Sequence, residues 1–367
     1  MKRKIFSLGR GFLSVAIVTG FLLGGLADVK AAQPGPSFQG RVITFVVPFT
    51  AGGGSDIWGR MIARHLGQYL PGKPNIVIRN MPGAGNLIGG NHAWSSKANG
   101  LTCLISSGGL ITANIIRPKG IEYRLEEMYP LCSSPSGLIY YGKPNLIKEP
   151  KDIFTAKGLI FGHMPATGGT SSGFIWAKEL LGFQTEKMIL AYGGSGDSRM
   201  AFLQGETNLC GESVSGYTTA MKSYVEKGQA VPIFQTGILD ENGNVMRDPG
   251  APDVLTAVEL YEQVHGKKPS GPDWKVYRLV VGGRTFDNSL LLPPKIPKDI
   301  VDLYGEAIPK MLKDSKFIAE ADKITPKAPY SYGKTLVKIF QEGVAAPPDV
   351  AEYMKRVLKE KYQVVLE

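Results

Sequence analysis

The chain has 367 residues, of which 43% are hydrophobic and 9% aromatic, and this composition excludes intrinsic disorder and collagen-like repeats. At roughly 100–200 residues per domain, the length predicts two domains. The formal net charge is +10, yet no run of Lys and Arg is long enough to follow a phosphate backbone. Nucleic-acid binding is therefore not expected, whereas a preference for small anions is compatible with the charge.

The first 31 residues have the pattern of a secretory signal peptide. Residues 1–10 are basic, and residues 12–26 form an apolar run that is shorter than the about 20 residues needed to span a bilayer. Val29-Lys30-Ala31 then offers small residues at the spacing that signal peptidase reads. Cleavage near Ala31 is expected, with a soluble periplasmic product of net charge +6. The alternative is an uncleaved membrane anchor.

Cysteine and histidine give no sign of a metal site. Cys103, Cys132 and Cys210 lie in apolar segments, which favours buried free thiols, although one disulfide between two of them stays possible. There is no CxxC motif, and the four histidines are scattered without ligand spacing. We expect neither a metal nor a cofactor.

Strands and helices alternate along the mature chain. Apolar, β-branched runs predict strands at residues 42–47, 75–79, 101–105, 158–161, 187–191 and 231–235. Helical spacing predicts helices at residues 56–70, from 87, and at 172–181, 197–203 and 217–226, with a helix-rich tail from residue 297. This order is typical of an α/β fold with largely parallel sheets and helices on both faces.

Two glycine-rich loops each join a strand to the next helix, at residues 49–55 and 82–85. Ligands of open α/β sheets bind at this position, and unpaired N–H groups at the helix start favour an anion. Gly53 is expected to adopt a positive φ and to leave space for that anion. Asp56 either caps the helix and holds the loop or bonds a ligand directly.

Catalytic motifs find little support. Gly83, Gly85 and Gly89 form a loose dinucleotide fingerprint, but the acidic residue expected about 20 residues later is missing. Residues 331–334 fit SxxK without an SDN partner, and neither GxSxG nor HExxH occurs. The sequence therefore predicts a binding protein rather than an enzyme.

Residues 42–56 (VITFVVPFTAGGGSD) and 76–90 (IVIRNMPGAGNLIGG) resemble, at this spacing, the opening of the Bug- and TctC-like substrate-binding proteins of tripartite tricarboxylate transporters. The likeness continues through residues 192–212 and 291–312 and fades from about Ala345. It implies a two-domain periplasmic binding protein of the Venus-flytrap, type II-like class, each domain a mostly parallel sheet flanked by helices. Domain 1 is expected to comprise residues 32–135 and 232–367, and domain 2 residues 136–231, with crossings near residues 132–138 and 228–235.

The same resemblance implies that the protein, as a monomer, captures a small organic acid and delivers it to the permease subunits of such a transporter. The alternatives are a receptor that feeds a sensor kinase and an exported enzyme that acts on a small carboxylate. The identity of the carboxylate and the alignment of residues 164–172 stay open. The positions implied to bind the ligand are Phe49, Thr50, Gly53, Ser55, Asp56, Ser107, Thr170, Ser171, Tyr192, Gly194 and Glu212. Glu212 stands where the family usually has Asp.

Overall fold

The computed structural model describes residues 37–240 and 242–366. The predicted signal peptide and its cleavage near Ala31 lie outside these residues. No helix within the two described ranges is long and apolar enough to cross a bilayer.

The first sheet has six strands in the order β13-β4-β12-β3-β1-β2. Their bounds are β1 Val42–Val47, β2 Asn75–Asn80, β3 Thr102–Ser106, β4 Tyr129–Ser134, β12 Asn288–Leu292 and β13 Ser331–Tyr332. Strands β1, β2 and β3 are parallel, whereas β12 runs antiparallel to both β3 and β4. The long return from the second sheet thus inserts one reversed strand into the middle of the first.

The second sheet has five strands in the order β7-β6-β8-β5-β9. Their bounds are β5 Leu138–Gly142, β6 Ile160–His163, β7 Lys187–Leu190, β8 Leu209–Ser213 and β9 Val231–Gln235. Strand β6 is parallel to β7 and β8, and β5 is antiparallel to β8 and β9. A separate ribbon pairs β10 Ile238–Leu239 with β11 Val245–Met246.

Helices cover both sheets. Their bounds are α1 Gly54–Leu66, α2 Leu87–Trp94, α3 Gly108–Ile116, α4 Gly169–Leu181, α5 Ser195–Gln204, α6 Val214–Gly216, α7 Lys222–Glu226, α8 Ala257–His265, α9 Pro272–Gly283, α10 Lys298–Leu312, α11 Ser315–Ile324, α12 Gly333–Gly343 and α13 Pro348–Tyr362. Helix α1 shows why these segments fold as they do, because Trp58, Met61, Ile62 and Leu66 share one face and are fully buried.

Each sheet has its own apolar core, and we call the two halves the first and second lobes. Phe45, Leu104 and Leu290 are buried in the first core, and Tyr140, Phe161 and Phe174 in the second. Apolar residues of α8, α9 and α13 also pack in the second core. The second lobe therefore draws on residues well beyond 136–231, and the predicted domain limits stay a prediction.

The chain passes between the lobes at three places: after β4, before β12, and from α12, which packs in the first core, to α13, which packs in the second. The first two passages lie side by side. Strand β4 ends at Ser134 and β5 begins at Leu138, within the predicted first crossing. The return falls later than residues 228–235, because β9 pairs with β5 in the second sheet and β12 begins only at Asn288. Ser136 and Arg284 join these first two passages, since Ser136 N donates to Arg284 O over 3.1 Å and Arg284 Nε to Ser136 O over 3.0 Å. This pair marks the hinge between the lobes.

The C-terminal tail packs on the second lobe and contacts the end of α3. Tyr362 Oη donates to Glu179 Oε1 over 2.6 Å, and Lys361 also pairs with Glu179. Farther along, Lys119 N donates to Val365 O over 3.1 Å. The tail thus joins a residue just after α3 to a residue of α4.

The cysteines give a first testable prediction. Cys103, Cys132 and Cys210 are free and buried, as the sequence indicated. Burial raises the pKa of each thiol to about 12. In the native protein none should react with a thiol reagent such as DTNB, and all three should react after denaturation. A thiol that reacts within minutes in the native protein would contradict this packing.

Candidate functional site

Four helices of nine residues or more begin at one cavity between the lobes. Helices α1 and α3 point their N-termini at it from the first lobe, and α4 and α5 from the second. Each N-terminus carries a partial positive charge, although the first two N–H groups of α3 already bond Asp287 Oδ1 and Ser107 Oγ. The cavity measures about 30 Å³, and since about 10–15 Å³ of such space admits one water, it has room for few water molecules. The structure therefore describes a closed arrangement around an anion-favouring site.

Asp56 holds the first glycine loop together. Its Oδ2 accepts from Gly52 N and from Arg60 Nε, each over 2.9 Å, and its Oδ1 accepts from Asn80 Nδ2 over 2.9 Å. Burial alone raises the pKa of Asp56, but these hydrogen bonds outweigh it and hold the pKa below its ordinary value. Because both oxygens are used within the loop, the geometry favours the loop-holding role over direct ligand contact.

A second prediction separates these two roles. Asp56→Ala should destabilise the protein by about 1–3 kcal/mol, because three donors lose their acceptor. Urea unfolding without ligand measures this loss, and Asp56→Asn, which keeps one acceptor oxygen, should cost less. If Asp56→Ala unfolds like wild type and yet fails to bind the ligand, the carboxylate contacts the ligand instead.

The sequence assigned both the positive φ and the need for space to Gly53, whereas the structure has them at Gly52 and Gly54. Gly53 has φ −82°, which any residue adopts, and a Cβ there would lie 3.7 Å from Ser195 Cβ, an ordinary contact. The expected positive φ at Gly53 is therefore wrong, and Gly52 has it instead, at +81°. At Gly54 an added Cβ would overlap the hydroxyls of Ser213 and Ser215 in the second lobe. Gly54 is thus the residue whose missing side chain lets the lobes meet.

Hydroxyl groups at the starts of α3 and α4 line the cavity. Ser107 is the N-cap of α3, and its Oγ accepts from Gly109 N over 3.2 Å. Thr170 lines the cavity from α4. Ser171 is fully buried, and its Oγ donates to Met164 O over 2.6 Å, so it fixes the loop rather than facing the cavity.

Thr50 meets the second lobe at Gly194. A Cβ on Gly194 would collide with Thr50 Oγ1 and lie 3.1 Å from Thr50 N, so the glycine permits this approach. Thr50 Oγ1 is buried and has no hydrogen-bond partner among the described residues. Tyr192, by contrast, donates to Glu206 on the surface over 3.1 Å and does not line the cavity.

Glu212 lies behind the cavity and anchors a contact across the cleft. Arg199 Nη1 donates to Glu212 Oε1 over 2.7 Å, and Arg199 Nη2 donates to Gly52 O of the first lobe over 3.2 Å. Glu212 is fully buried, and burial raises its pKa to about 7 although Arg199 lowers it. Glu212 therefore positions Arg199, which closes the cleft over the first loop.

One contact in the cavity combines a serine with a histidine. Ser195 Oγ lies 3.4 Å from His163 Nε2. The same Nε2 lies 3.1 Å from Gly211 O, and because a carbonyl only accepts, Nε2 carries the proton. Burial lowers the pKa of His163 to about 3, which keeps the ring neutral. Nε2 therefore cannot take a proton from Ser195, and this pair is not a catalytic dyad.

The two charged residues in the lining of the cavity were not predicted from the sequence. Arg284 and Asp287 both line it, and Arg284 Nη2 lies 2.6 Å from Asp287 Oδ2 with both side chains buried. They follow α9, outside any glycine loop, so no motif marked them. Gly169 at the start of α4, Ser195 at the start of α5, and Ser213 also line the cavity and were missed as well.

The predicted ligand residues thus fall into two groups. Those that line the cavity are Phe49, Gly53, Ser55, Ser107 and Thr170. Those that support it or lie apart from it are Thr50, Asp56, Ser171, Tyr192, Gly194 and Glu212. Across residues 37–240 and 242–366, no three His, Cys, Asp or Glu side chains are grouped so that they could hold a metal ion.

Comparisons with known proteins agree with this geometry. No family model matches the chain. Protein BugT of Bordetella pertussis is 34% identical over 134 residues, 36% of this chain and 40% of BugT. The periplasmic binding protein BugD superposes with a TM-score of 0.66 at 18% identity over 89% of this chain and 99% of BugD. MatC from Rhodopseudomonas palustris, solved with bound malate, gives a TM-score of 0.64 at 17% identity over 86% and 98%.

The fold is that of a two-domain periplasmic binding protein. The predicted α/β class and the resemblance to Bug-type proteins are confirmed; the first sheet has two reversed strands, β12 and the edge strand β13, and the second has one, β5. By their names, BugD is a periplasmic binding protein and MatC was solved with malate bound, and neither is named as an enzyme, in line with the prediction of a binding protein. The sequence matches span less than two thirds of the curated relatives' own length.

Proposed function

We propose that this protein is an extracytoplasmic receptor that captures a small organic acid in the cleft between its lobes. The observation that carries the proposal is the convergence of four helix N-termini on one cavity lined by Ser, Thr and Gly. Such a site stabilises a carboxylate through backbone N–H groups. A fold neighbour, MatC, holds malate, and the signal-like N-terminus and basic net charge point the same way.

The closed cavity sets a condition on binding. A space of about 30 Å³ cannot hold a four-carbon diacid, so the lobes must separate to admit the ligand and then settle around it. Donors from both lobes line the space, and a bound acid would join them. At about 1.5–3 kcal/mol for each charge-assisted bond, less the cost of association, micromolar affinity is within reach.

The experiment has two stages. Mass spectrometry of protein purified from native periplasm identifies any acid that co-purifies. Calorimetric titration then compares malate, citrate, glutamate and benzoate with malamide, which has the shape of malate without its charge. We expect micromolar binding of one acid and no heat from malamide. Failure of every acid in both stages, or chemical turnover of the bound acid, would overturn the proposal.

Delivery to a membrane permease of the tripartite tricarboxylate type is the second part of the proposal. A receptor that closes on its ligand presents a surface that differs between the loaded and the free state, and a permease can read this difference. Pull-down from membranes with and without the acid tests it. Integral permease subunits captured only with the acid support delivery, whereas capture of a sensor kinase would replace it.

A further inference from the structure

Arg284 lines the cavity at the point where the passage after β4 and the passage before β12 meet. It is 2% exposed. Its Nε donates to Ser136 O over 3.0 Å, and its Nη2 pairs with Asp287 Oδ2 over 2.6 Å. Asp287 Oδ1 in turn accepts from Gly108 N over 2.9 Å. Two of the three guanidinium nitrogens are thus held, and the plane of the group is fixed.

The third nitrogen, Nη1, lies between the starts of α3 and α4. It is 2.6 Å from the position a Cβ would take on Gly108 and 3.2 Å from that position on Gly169. Nη1 donates no hydrogen bond within the described part of the chain, and Arg284 lines the cavity. Its N–H groups are therefore open to the cavity, where they can donate to an oxygen that a ligand brings.

We propose that Arg284 Nη1 binds one carboxylate of the captured acid and that this contact sets the receptor's preference for anions. The inference rests on the proposed function and deepens it. Helix α4 brings its N-terminal N–H groups to the same place, whereas the first two N–H groups of α3 already bond Asp287 and Ser107, so α3 adds only the positive end of its dipole. Asp287 is a positioning residue, because it orients the guanidinium and occupies Gly108 N.

The position also ties binding to closure. Arg284 bonds the hinge at Ser136, pairs with Asp287 next to β12 of the first lobe, and touches Gly169 of the second. A carboxylate bound to Nη1 would therefore contact both α3 and α4 only when these two helices are close. If Arg284 and Asp287 form only a structural ion pair, its loss should lower stability without changing the preference between charged and uncharged ligands.

The test compares variants by calorimetry with the acid that binds wild type best and with its uncharged amide. The main variant is Arg284→Gln with Asp287→Asn, which removes both charges of the pair together. Arg278→Gln, at an exposed position of α9, the helix that precedes Arg284, is the matched control. We expect the double variant to lose about 100-fold or more in affinity for the acid and most of its preference over the amide, and Arg278→Gln to bind like wild type.

Melting curves show whether the double variant folds. If it does not, Arg284→Lys decides, because the single nitrogen of an ammonium cannot stand at the positions of Nε, Nη1 and Nη2 at once. We then expect at least about a tenfold loss of affinity with cooperative melting. If the folded double variant, or Arg284→Lys, binds the acid within threefold of wild type, the role of Arg284 is overturned and the proposed function is not. A wild type that binds no acid would instead overturn the proposed function.

Discussion

Replacing Gly109 with alanine is expected to weaken binding of the organic acid by about 10- to 100-fold without unfolding either lobe. A Cβ on Gly109 would lie 2.5 Å from Gly169 N and 3.2 Å from Gly169 Cα, across the cleft. Both are backbone atoms at helix starts, so no side chain can turn aside. Overpacking of this kind costs about 1–3 kcal/mol, and the closed form bears all of it.

The matched control is Gly53→Ala, another glycine at the cleft, whose Cβ meets Ser195 Cβ at 3.7 Å. It should bind within about threefold of wild type. Calorimetry measures affinity, and small-angle scattering shows whether the variant still closes with ligand. Equal affinity for Gly109→Ala and wild type would mean that α3 and α4 do not approach each other in the bound form.

Changing Glu212 to glutamine is expected to remove a pH dependence of stability between about pH 4.5 and 7. Burial raises the pKa of Glu212 from 4.5 to about 7. The groups that act on it are Arg199 of α5, Tyr141 of β5 and the adjacent Cys210. Between these pH values the folded protein binds the proton more tightly than the unfolded chain, so the stability it contributes is full below pH 4.5 and lost as pH rises through 7. The loss amounts to at most about 3 kcal/mol.

Urea unfolding at pH 5, 6, 7 and 8 measures this difference. Wild type should lose stability relative to Glu212→Gln as pH rises, with most of the change complete by pH 8. Glu206→Gln serves as the control for an acid of the second lobe on the surface. Parallel curves for wild type and Glu212→Gln would show that Glu212 keeps an ordinary pKa and that Arg199 neutralises it fully.

The sequence carried enough information for the fold because the strands have a strong local signal. The run Val42–Val47 is apolar except for Thr44, since helices cover both faces of its sheet, and it forms β1 with the predicted bounds. Strand β9 also has its predicted bounds. Strand β12 was not marked as a strand, because Asn288 and Ser289 open it with polar side chains. Without β12, the sequence could predict neither the reversed strand in the first sheet nor the late return of the chain to it.

The candidate site was predicted only where a loop carries its own signature. The glycines and hydroxyls of the first loop are local in sequence, so Phe49, Gly53 and Ser55 could be named. Arg284 and Asp287 become neighbours of Ser107 and Thr170 only through the return of α9 to the hinge. A sequence pattern cannot show that an arginine side chain is buried, and burial is the property that distinguishes Arg284 from the other basic residues.

The C-terminal tail also restricts how far the lobes can part. The hydrogen bond from Lys119 N to Val365 O and the contacts of Lys361 and Tyr362 with Glu179 connect the rear of α3 to α4 by a short path. If these contacts persist while the mouth opens, the tail acts as a tether of fixed length, and the receptor's aperture has an upper limit. The size of the largest acid that can enter would then depend on a segment remote from every atom that touches it.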